Sequence, residues 1–578
     1  MRPAIHKRIR LRTAIVGFVF ALLIALIGTK AAYVQTVRGP WLSDKASRQY
    51  QKSLKATGKR GTIFDSRGRE LAVSIDLASV AAYPARVTNV KATAAALSRA
   101  LKMNRRRLVS KLSQKNRPFV WLKRHVTPKE AESIRRLNLA GVDFIPEHSR
   151  VYPNRSVAAQ VIGFAGVDGS GLEGLEYLFN SRLKGDLDSY EIFKDALGRN
   201  FKTPSGKSSD IRGHNLFLTI DRTIQYNVEK ILLQTVNRYG ARAAIGIVMV
   251  PQTGAILAMA NVPLFNPNNY NQSTRWHWRN RAVADRFEPG STMKIFSIAA
   301  AIESGAFSPD SPLFCENGNY KIGRNTVHDT KPHAWLTITD IVRLSSNIGA
   351  VKVGEKIGAK SLFATLKEFG FGARTGINFP GETTGRLAPY KRWSKIDAGA
   401  ISFGQGISVS ALQLAAATAA IANGGVLMRP YIVERVSDSR GREIESFKPH
   451  AVRQVVSPGT AAVIARMMRT VVENGTGTMA AMDEYLVSGK TGTAQKIDQN
   501  GNYDKGKFIA SFTGFVPSKK PELVILVVID EPEKNHYGGV VAGPAFRKIA
   551  ETTLDYLNIA PEKGRGKLMV SRERGAAG

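Results

Sequence analysis

The stretch Glu288-Pro-Gly-Ser-Thr-Met-Lys-Ile-Phe-Ser-Ile-Ala-Ala-Ala-Ile302 is a breaker pair, a short polar segment and a long apolar run. The pattern predicts a helix opened by Ser291. A serine hydroxyl at a helix N-terminus sits among free backbone N–H groups, where the dipole favours an attacking alkoxide. Lys294 follows three residues later, one turn on and on the same face. Walled in by Met293, Ile295 and Phe296, its amine is desolvated, its pKa falls, and as a neutral base it can take the serine proton. The reading is a Ser–Lys nucleophile pair. Spacing alone does not establish it, because Ser-x-x-Lys recurs at Ser181–Lys184, where a capped helix and a solvated lysine suffice.

Two downstream segments supply partners. Ser345-Ser346-Asn347 lies inside a helical pattern that begins near Thr337 and runs through Ile338, Ile341, Val342, Leu344, Ile348 and Val351. Lys490-Thr491-Gly492-Thr493 lies in a strand pattern over 486–495, whose glycine lets another backbone approach closely. In this order the three segments resemble the active-site set of the penicillin-binding proteins and serine β-lactamases. That set commonly carries Asp in the middle of the triplet, where this chain has Ser346; the outer Ser345 and Asn347 match.

A chain of 578 residues is too long for one core and predicts several domains. The net charge of +37 calls for an anionic partner, but no zinc spacing, helix-turn-helix or RNA-binding aromatic motif points to nucleic acid. A membrane surface or a pyrophosphate-bearing substrate fits better. One cysteine, Cys315, excludes an internal disulfide, and nine histidines form no metal-ligand pattern. Residues 1–12 are basic without an acidic residue, and 13–29 are uncharged and mostly apolar, extended to Val34 beyond Lys30. This predicts a membrane-spanning helix over 13–34 in preference to a cleaved signal, with a cytoplasmic basic tail at 1–12. From 101 to 155 the chain carries fourteen basic and four acidic residues, a solvated helical surface that can also meet anionic headgroups.

Gly61-Thr-Ile-Phe-Asp-Ser-Arg-Gly68 reads as strand, turn and strand, and none of the segments before residue 205 presents a nucleophile and base together. The Arg60-Gly61, Asp65, Gly68, Arg150, Tyr152-Pro153, Gly171-Leu-Glu173 and Glu176 pattern is similar to the N-terminal pedestal of class B penicillin-binding proteins. Phe287-Glu-Pro-Gly-Ser-Thr-Met-Lys294 and Tyr537-Gly-Gly-Val-Val-Ala-Gly-Pro-Ala-Phe546 look like the FtsI, cell-division branch, with the elongation branch as the alternative. The likeness covers about residues 13 to 557.

The expected architecture is therefore α/β: an elongated α+β pedestal over 35–205, a transpeptidase domain over 206–560 resembling the penicillin-binding and serine β-lactamase fold, and a disordered tail at 561–578. Apolar runs at 243–250, 255–260, 508–516 and 523–529 join the 486–495 strand in an antiparallel sheet, covered by helices over Ala411–Ala422, 460–472 and 546–557. The resemblance implies a peptidoglycan D,D-transpeptidase without metal or organic cofactor. It makes Ser291 the nucleophile, Lys294 the general base, Ser345, Asn347 and Lys490 catalytic, and Thr491, Gly492 and Thr493 substrate-binding. It further implies stem peptides and a lipid-linked precursor as substrates, β-lactams as covalent inhibitors, an FtsW-type glycosyltransferase and other division proteins as partners, and a single-pass inner-membrane location at the septum with the catalytic domain in the periplasm. A serine β-lactamase and a non-catalytic sensor or division scaffold are the competing classes; the first needs a deacylating base, for which no glutamate stands out.

Overall fold

The computed structural model describes residues 3–39, 41–42, 51–194, 200–203, 212–322, 325–497 and 502–563. The chain divides into two compact units, Met1–Gly58 with Asp186–Ile211, and Lys59–Gly185 with Arg212–Gly578. Residues Pro3–Thr36 of the first unit form an unbroken helix. Its Leu11–Thr36 part is 26 residues long, apolar and wholly unburied. At 1.5 Å per residue it spans about 39 Å, against about 30 Å for a bilayer's hydrocarbon core, so it is long and apolar enough to cross a membrane. The same unit holds a three-stranded sheet in which Gly185–Lys194 lies between Gln51–Gly58 and Asn200–Thr203. The expected junction at 205–206 and the tail from 564 onward fall outside the described residues.

In the second unit, Asp65 builds the turn between strands Ile63–Phe64 and Glu70–Ala82 by accepting from the Arg67 and Arg69 N–H groups and the Arg69 side chain. The long strand pairs with Val142–Val151 and Val120–Val126, and helices Val90–Leu101, Arg105–Leu112 and Pro128–Arg136 cover it around Leu97, Leu108, Leu122 and Ile134. Several basic residues of this lobe, among them Arg105, Arg106, Arg107, Arg135 and Arg136, are exposed.

The glycine-punctuated motifs close a buried knot. The fully buried Glu176 carboxylate accepts from Arg60 Nε at 2.5 Å, Arg150 Nε at 2.6 Å and Tyr152 OH at 3.3 Å. Burial opposes its ionisation, but the two guanidinium groups prevail and hold this acid below its ordinary pKa. The pedestal is joined to the later part of the chain through a shared sheet: Ile63–Phe64 runs parallel to Asn215–Leu218, which pairs in turn with Val433–Ser437. Arg69 also reaches Asp221, the cap of helix Arg222–Tyr239.

The core of the unit is a five-stranded antiparallel sheet of β1 (Ala243–Met249), β2 (Ile256–Val262), β3 (Ser488–Ile497), β4 (Tyr503–Val516) and β5 (Leu523–Asp530), in the order β2-β1-β5-β4-β3. Alternating side chains of β1 and β5 enter two cores. Ile245, Ile247, Val524, Leu526 and Val528 pack with Leu412 and Ala415 of helix Ala411–Ala422. Ala244, Val248, Ile525, Val527 and Ile529 pack with Ile224, Val228 and Phe546, from Arg222–Tyr239 and Gly543–Leu557. Both faces being covered, the strands read as continuous apolar runs. β3 is left at the sheet edge.

Against β3 lies the stretch of residues 288–302. Lys294–Glu303 (α1) is buried from Lys294 through Ala301, with Phe296 packed 4.9 Å from Phe369 and 5.1 Å from Phe371. The helix expected to run from Thr337 through Val351 is two helices, Ile338–Leu344 (α2) and Asn347–Glu368 (α3). Ser345 turns left-handed at φ 64° to end α2, and the Ser346 hydroxyl accepts from Gly349 N–H to begin α3. Apolar periodicity continues across the break, which is why the pattern concealed it.

Candidate active site

Ser291 stands one turn ahead of α1, in a 3-10 turn over Gly290–Met293; the helix itself begins at Lys294. The expectation that Ser291 opens the helix is corrected by this turn, which tightens the entry so that hydroxyl and amine meet. Gly290 makes the turn possible: at φ 54°, a Cβ there would lie 2.8 Å from the Thr493 carbonyl oxygen. The contact also seats Ser291 against β3. Gly492 serves the same approach from the strand, since its Cβ would meet Pro289 O at 3.0 Å and Thr292 Cγ2 at 2.9 Å.

Lys294 Nζ is fully buried and lies 3.1 Å from Ser291 Oγ, 2.6 Å from Ser345 O, 3.2 Å from Ser345 Oγ and 2.8 Å from Asn347 Oδ1. The α2–α3 break presents both the carbonyl and the hydroxyl of Ser345 to this amine. A non-glycine residue in that backbone region costs on the order of 1 kcal/mol or more, a strain that clusters at functional sites. Asn347 is oriented by its Nδ2, which donates to the His328 carbonyl at 3.0 Å and so turns Oδ1 toward Lys294.

Lys490, also buried, donates to Ser345 Oγ at 3.0 Å and to Thr491 O at 3.2 Å. Ser345 therefore bridges the two amines. Burial lowers the Lys294 pKa to about 7, partly opposed by the charge of Asp329. Burial, reinforced by Lys294, pushes Lys490 well below its usual value. Two ammonium groups sharing one hydroxyl in a dry pocket repel, so protonating either opposes protonating the other.

Along β3, Thr491 Oγ1 accepts from Lys490 Nζ at 3.3 Å and lies 2.8 Å from the Thr476 hydroxyl, and Thr493 Oγ1 accepts from Gly538 N–H at 3.0 Å. Ser291, Lys294, Ser345, Asn347 and Lys490 thus form one hydrogen-bonded cluster, with Thr491, Gly492 and Thr493 along its β3 wall. Ser181, of the competing Ser-x-x-Lys match, lies in the short helix Asn180–Leu183 of the pedestal.

The family model described as penicillin binding protein transpeptidase domain matches residues 244–551, and that described as penicillin-binding protein dimerisation domain matches 55–218. The chain belongs to the class B penicillin-binding proteins. It is 35% identical over 559 residues to a probable peptidoglycan D,D-transpeptidase PenA of Neisseria meningitidis, covering 96% of this chain and 94% of the relative. It is 32% identical over 554 residues to the peptidoglycan D,D-transpeptidase FtsI of Escherichia coli, covering 94% and 92%. The structure of penicillin binding protein 3 from Mycobacterium tuberculosis complexed with aztreonam superposes with a TM-score of 0.69 at 28% identity, covering 88% of this chain and 98% of that one. The predicted fold, a penicillin-binding protein transpeptidase domain with a helix-flanked sheet, a pedestal and one N-terminal apolar helix, is the fold observed.

Sequence reading of this penicillin-binding protein missed two carboxylates. Asp329 accepts from Asn347 N–H at 2.5 Å, Ile348 N–H at 3.0 Å and Ser346 Oγ at 2.6 Å. Glu288 accepts from Gly406 N–H at 2.8 Å and Tyr503 OH at 3.1 Å, and burial raises its pKa. Nothing in His328-Asp-Thr-Lys-Pro332 marks Asp329 as more than a turn residue; an unfilled need for a carboxylate at Ser346 was the available signal.

Proposed function

We propose that this peptidoglycan D,D-transpeptidase cross-links stem peptides during septal wall synthesis through a serine acyl-enzyme, with Ser291 as nucleophile and Lys294 as general base. The observation that carries the reading is the set of partners around Lys294 Nζ. A neutral amine has two N–H donors and one lone pair. Ser345 O and Asn347 Oδ1 cannot donate and take the two N–H groups at 2.6 and 2.8 Å; the lone pair is left for the Ser291 hydroxyl at 3.1 Å. At a pKa of about 7, a substantial fraction of the amine is in that form at neutral pH.

In the proposed reaction Ser291 attacks the carbonyl of the penultimate D-alanine of a stem peptide laid along the free edge of β3. The backbone N–H groups of Ser291 and Thr493 receive the developing oxyanion, an effect worth on the order of a hundredfold or more in rate. The proton taken by Lys294 passes through Ser345 and Lys490 to the departing D-alanine. Asn347 and Thr491 hold the peptide, and Thr493 with Lys490 receives its terminal carboxylate. An amine from a neighbouring strand then attacks the ester, forming the amide cross-link and restoring the serine. Among the described residues no carboxylate hydrogen-bonds to Ser291 or Lys294, so the site offers no direct base for activating water, which favours the transferase over the hydrolase.

The reading extends to the inner membrane, with Leu11–Thr36 as a single-pass anchor, the N-terminus in the cytoplasm and the enzyme in the periplasm beside an FtsW-type glycosyltransferase. Its test is labelled penicillin. The label should attach to Ser291, survive denaturing electrophoresis and persist for many minutes; release within seconds with turnover of a chromogenic β-lactam would overturn the transferase assignment. A fluorescent copy concentrated along the side wall instead of at midcell would overturn the septal role.

A further inference from the structure

The triplet Ser345-Ser346-Asn347 lacks the aspartate its middle position commonly carries in related sites, yet a carboxylate stands there. It comes from another part of the chain. Asp329 follows the hairpin strand Asn325–His328, and its own N–H donates to the Gly318 carbonyl at 3.1 Å. Its Oδ2 accepts from the Ser346 hydroxyl at 2.6 Å, and its Oδ1 from the N–H groups of Asn347 and Ile348 at 2.5 and 3.0 Å. One side chain thus satisfies two of the first free N–H groups of α3 and the hydroxyl of its capping residue. The preceding residue completes the clamp, because the His328 carbonyl accepts from Asn347 Nδ2 at 3.0 Å. Backbone and side chain of Asn347 are both fixed by the same two-residue step.

We propose that Asp329 is a positioning residue of the transpeptidase reaction, which holds Asn347 against Lys294 by clamping the start of α3. It touches no reacting atom; it acts through Asn347 and through its field. The charged groups facing Lys294 are Lys490 from β3, which disfavours a second ammonium, and Asp329 from the hairpin side, which favours one. The remaining polar neighbours, Ser291, Ser345 and Asn347, are uncharged. Asp329 is therefore the counterweight that keeps the amine basic enough to accept the serine proton while burial drives its basicity down. The proposal rests on the Ser291 acyl-enzyme, whose failure would be visible separately, as the absence of any penicillin adduct on the unsubstituted protein.

The test is the pH profile of acylation of the full chain in detergent by fluorescent penicillin, in D329N and in the double variant D329N/S346D, each with its thermal midpoint. The D329N change keeps the shape of the side chain and removes its charge. The plateau rate should fall about tenfold or more from lost alignment, and the midpoint of the acid limb should move down by about one pH unit, because Lys294 loses the charge that favoured its proton. In D329N/S346D a carboxylate returns at the helix cap, where it can accept from Gly349 N–H as the Ser346 hydroxyl does. That variant should recover most of the rate and shift the midpoint back up. A D329N profile with midpoint unmoved and plateau within twofold of the unsubstituted protein would overturn the proposal. So would a D329N/S346D variant that regains the thermal midpoint without regaining rate or acid limb, since Asp329 would then be a helix cap alone.

Discussion

Replacing Asn347 by Asp changes one atom type in the active site and should move the pH at which the enzyme works. Asn347 Oδ1 lies 2.8 Å from Lys294 Nζ, so the N347D variant would put a carboxylate against the amine. At an effective dielectric of about 20, opposite charges about 3 Å apart attract by about 5 to 6 kcal/mol, equivalent to about four pKa units. Two losses reduce this. The Nδ2 donation to His328 O disappears, and the new carboxylate stands close to Asp329, which already holds Asn347 N–H at 2.5 Å. Halving the attraction for these leaves Lys294 raised by about two units. From about 7, the lysine would move to about 9, and its neutral fraction at pH 7 would drop from about one half to about one in a hundred. Acylation of N347D by fluorescent penicillin should therefore be about fiftyfold slower at pH 7 and recover most of that loss between pH 9 and 10. Stopped samples separated on denaturing gels give the rate at each pH. An N347D rate equally depressed at every pH, in a protein with an unchanged melting profile, would refute the neutral-lysine base and reduce Asn347 to a substrate contact.

Ser291→Ala should abolish covalent labelling, and Lys294→Ala should lower it by a factor of a hundred or more, without loss of the folded state as judged by circular dichroism. In Gly290→Ala, the φ of 54° and the 2.8 Å approach of Cβ to Thr493 O should push Ser291 off β3 and cut acylation more than tenfold, with a melting point lowered by several degrees; a neutral substitution there would show that the tight turn is dispensable. Glu229, fully buried, accepts from Gln225 Nε2 at 2.7 Å and Ala158 N–H at 2.8 Å, and burial raises its pKa to about 8. A carboxyl that ionises later in the folded state than in the unfolded chain gives stability that is full at low pH and is lost between about 4.5 and 8. Glu229→Gln should accordingly match the unsubstituted protein at pH 5 and exceed it by about 2 kcal/mol or more at pH 8 in urea denaturation; equal stabilities at pH 8 would contradict the buried neutral acid. Protease added to spheroplasts should leave only a short N-terminal stub, and a protected catalytic domain would refute the proposed topology.

How much of this was legible in the sequence depended on whether the signal was local. The apolar helix, the β1–β2 hairpin around Pro251-Gln-Thr-Gly254 and the strand carrying Lys490 are set by composition and punctuation within some ten residues; the hairpin and strand formed within about two residues of the pattern, while the helix expected over 13–34 extends through the basic residues to Pro3–Thr36. Ser291 and Lys294 were legible because a turn fixes residues three apart, whatever the rest of the chain does. The break between α2 and α3 was not, because nothing at Ser345 forbids a helix; tertiary contacts to Lys294 and Asp329 override a serine's modest helix preference. Asp329 and Glu288 depend on chain segments 17 and 118 residues distant meeting in space, and a single sequence carries no record of such a meeting.

The pairing of the two buried lysines has a consequence for the order of events. Ser345 Oγ lies 3.2 Å from Lys294 Nζ and 3.0 Å from Lys490 Nζ, so one hydroxyl stands between two amines that oppose each other's charge, the relay of the proposed reaction. Burial keeps both amines weak bases. In the proposed reaction an arriving peptide brings a terminal carboxylate to the Thr493 end of β3. That negative charge favours an ammonium on Lys490, and the ammonium in turn disfavours one on Lys294, which holds Lys294 in the form able to deprotonate Ser291. Once Ser291 has given up its proton, the same coupling drives it from Lys294 toward Ser345, where the leaving amine needs it. In the proposed reaction, binding of the correct carboxylate thereby prepares the base, and a ligand without one should meet a slower nucleophile even if it filled the groove equally well.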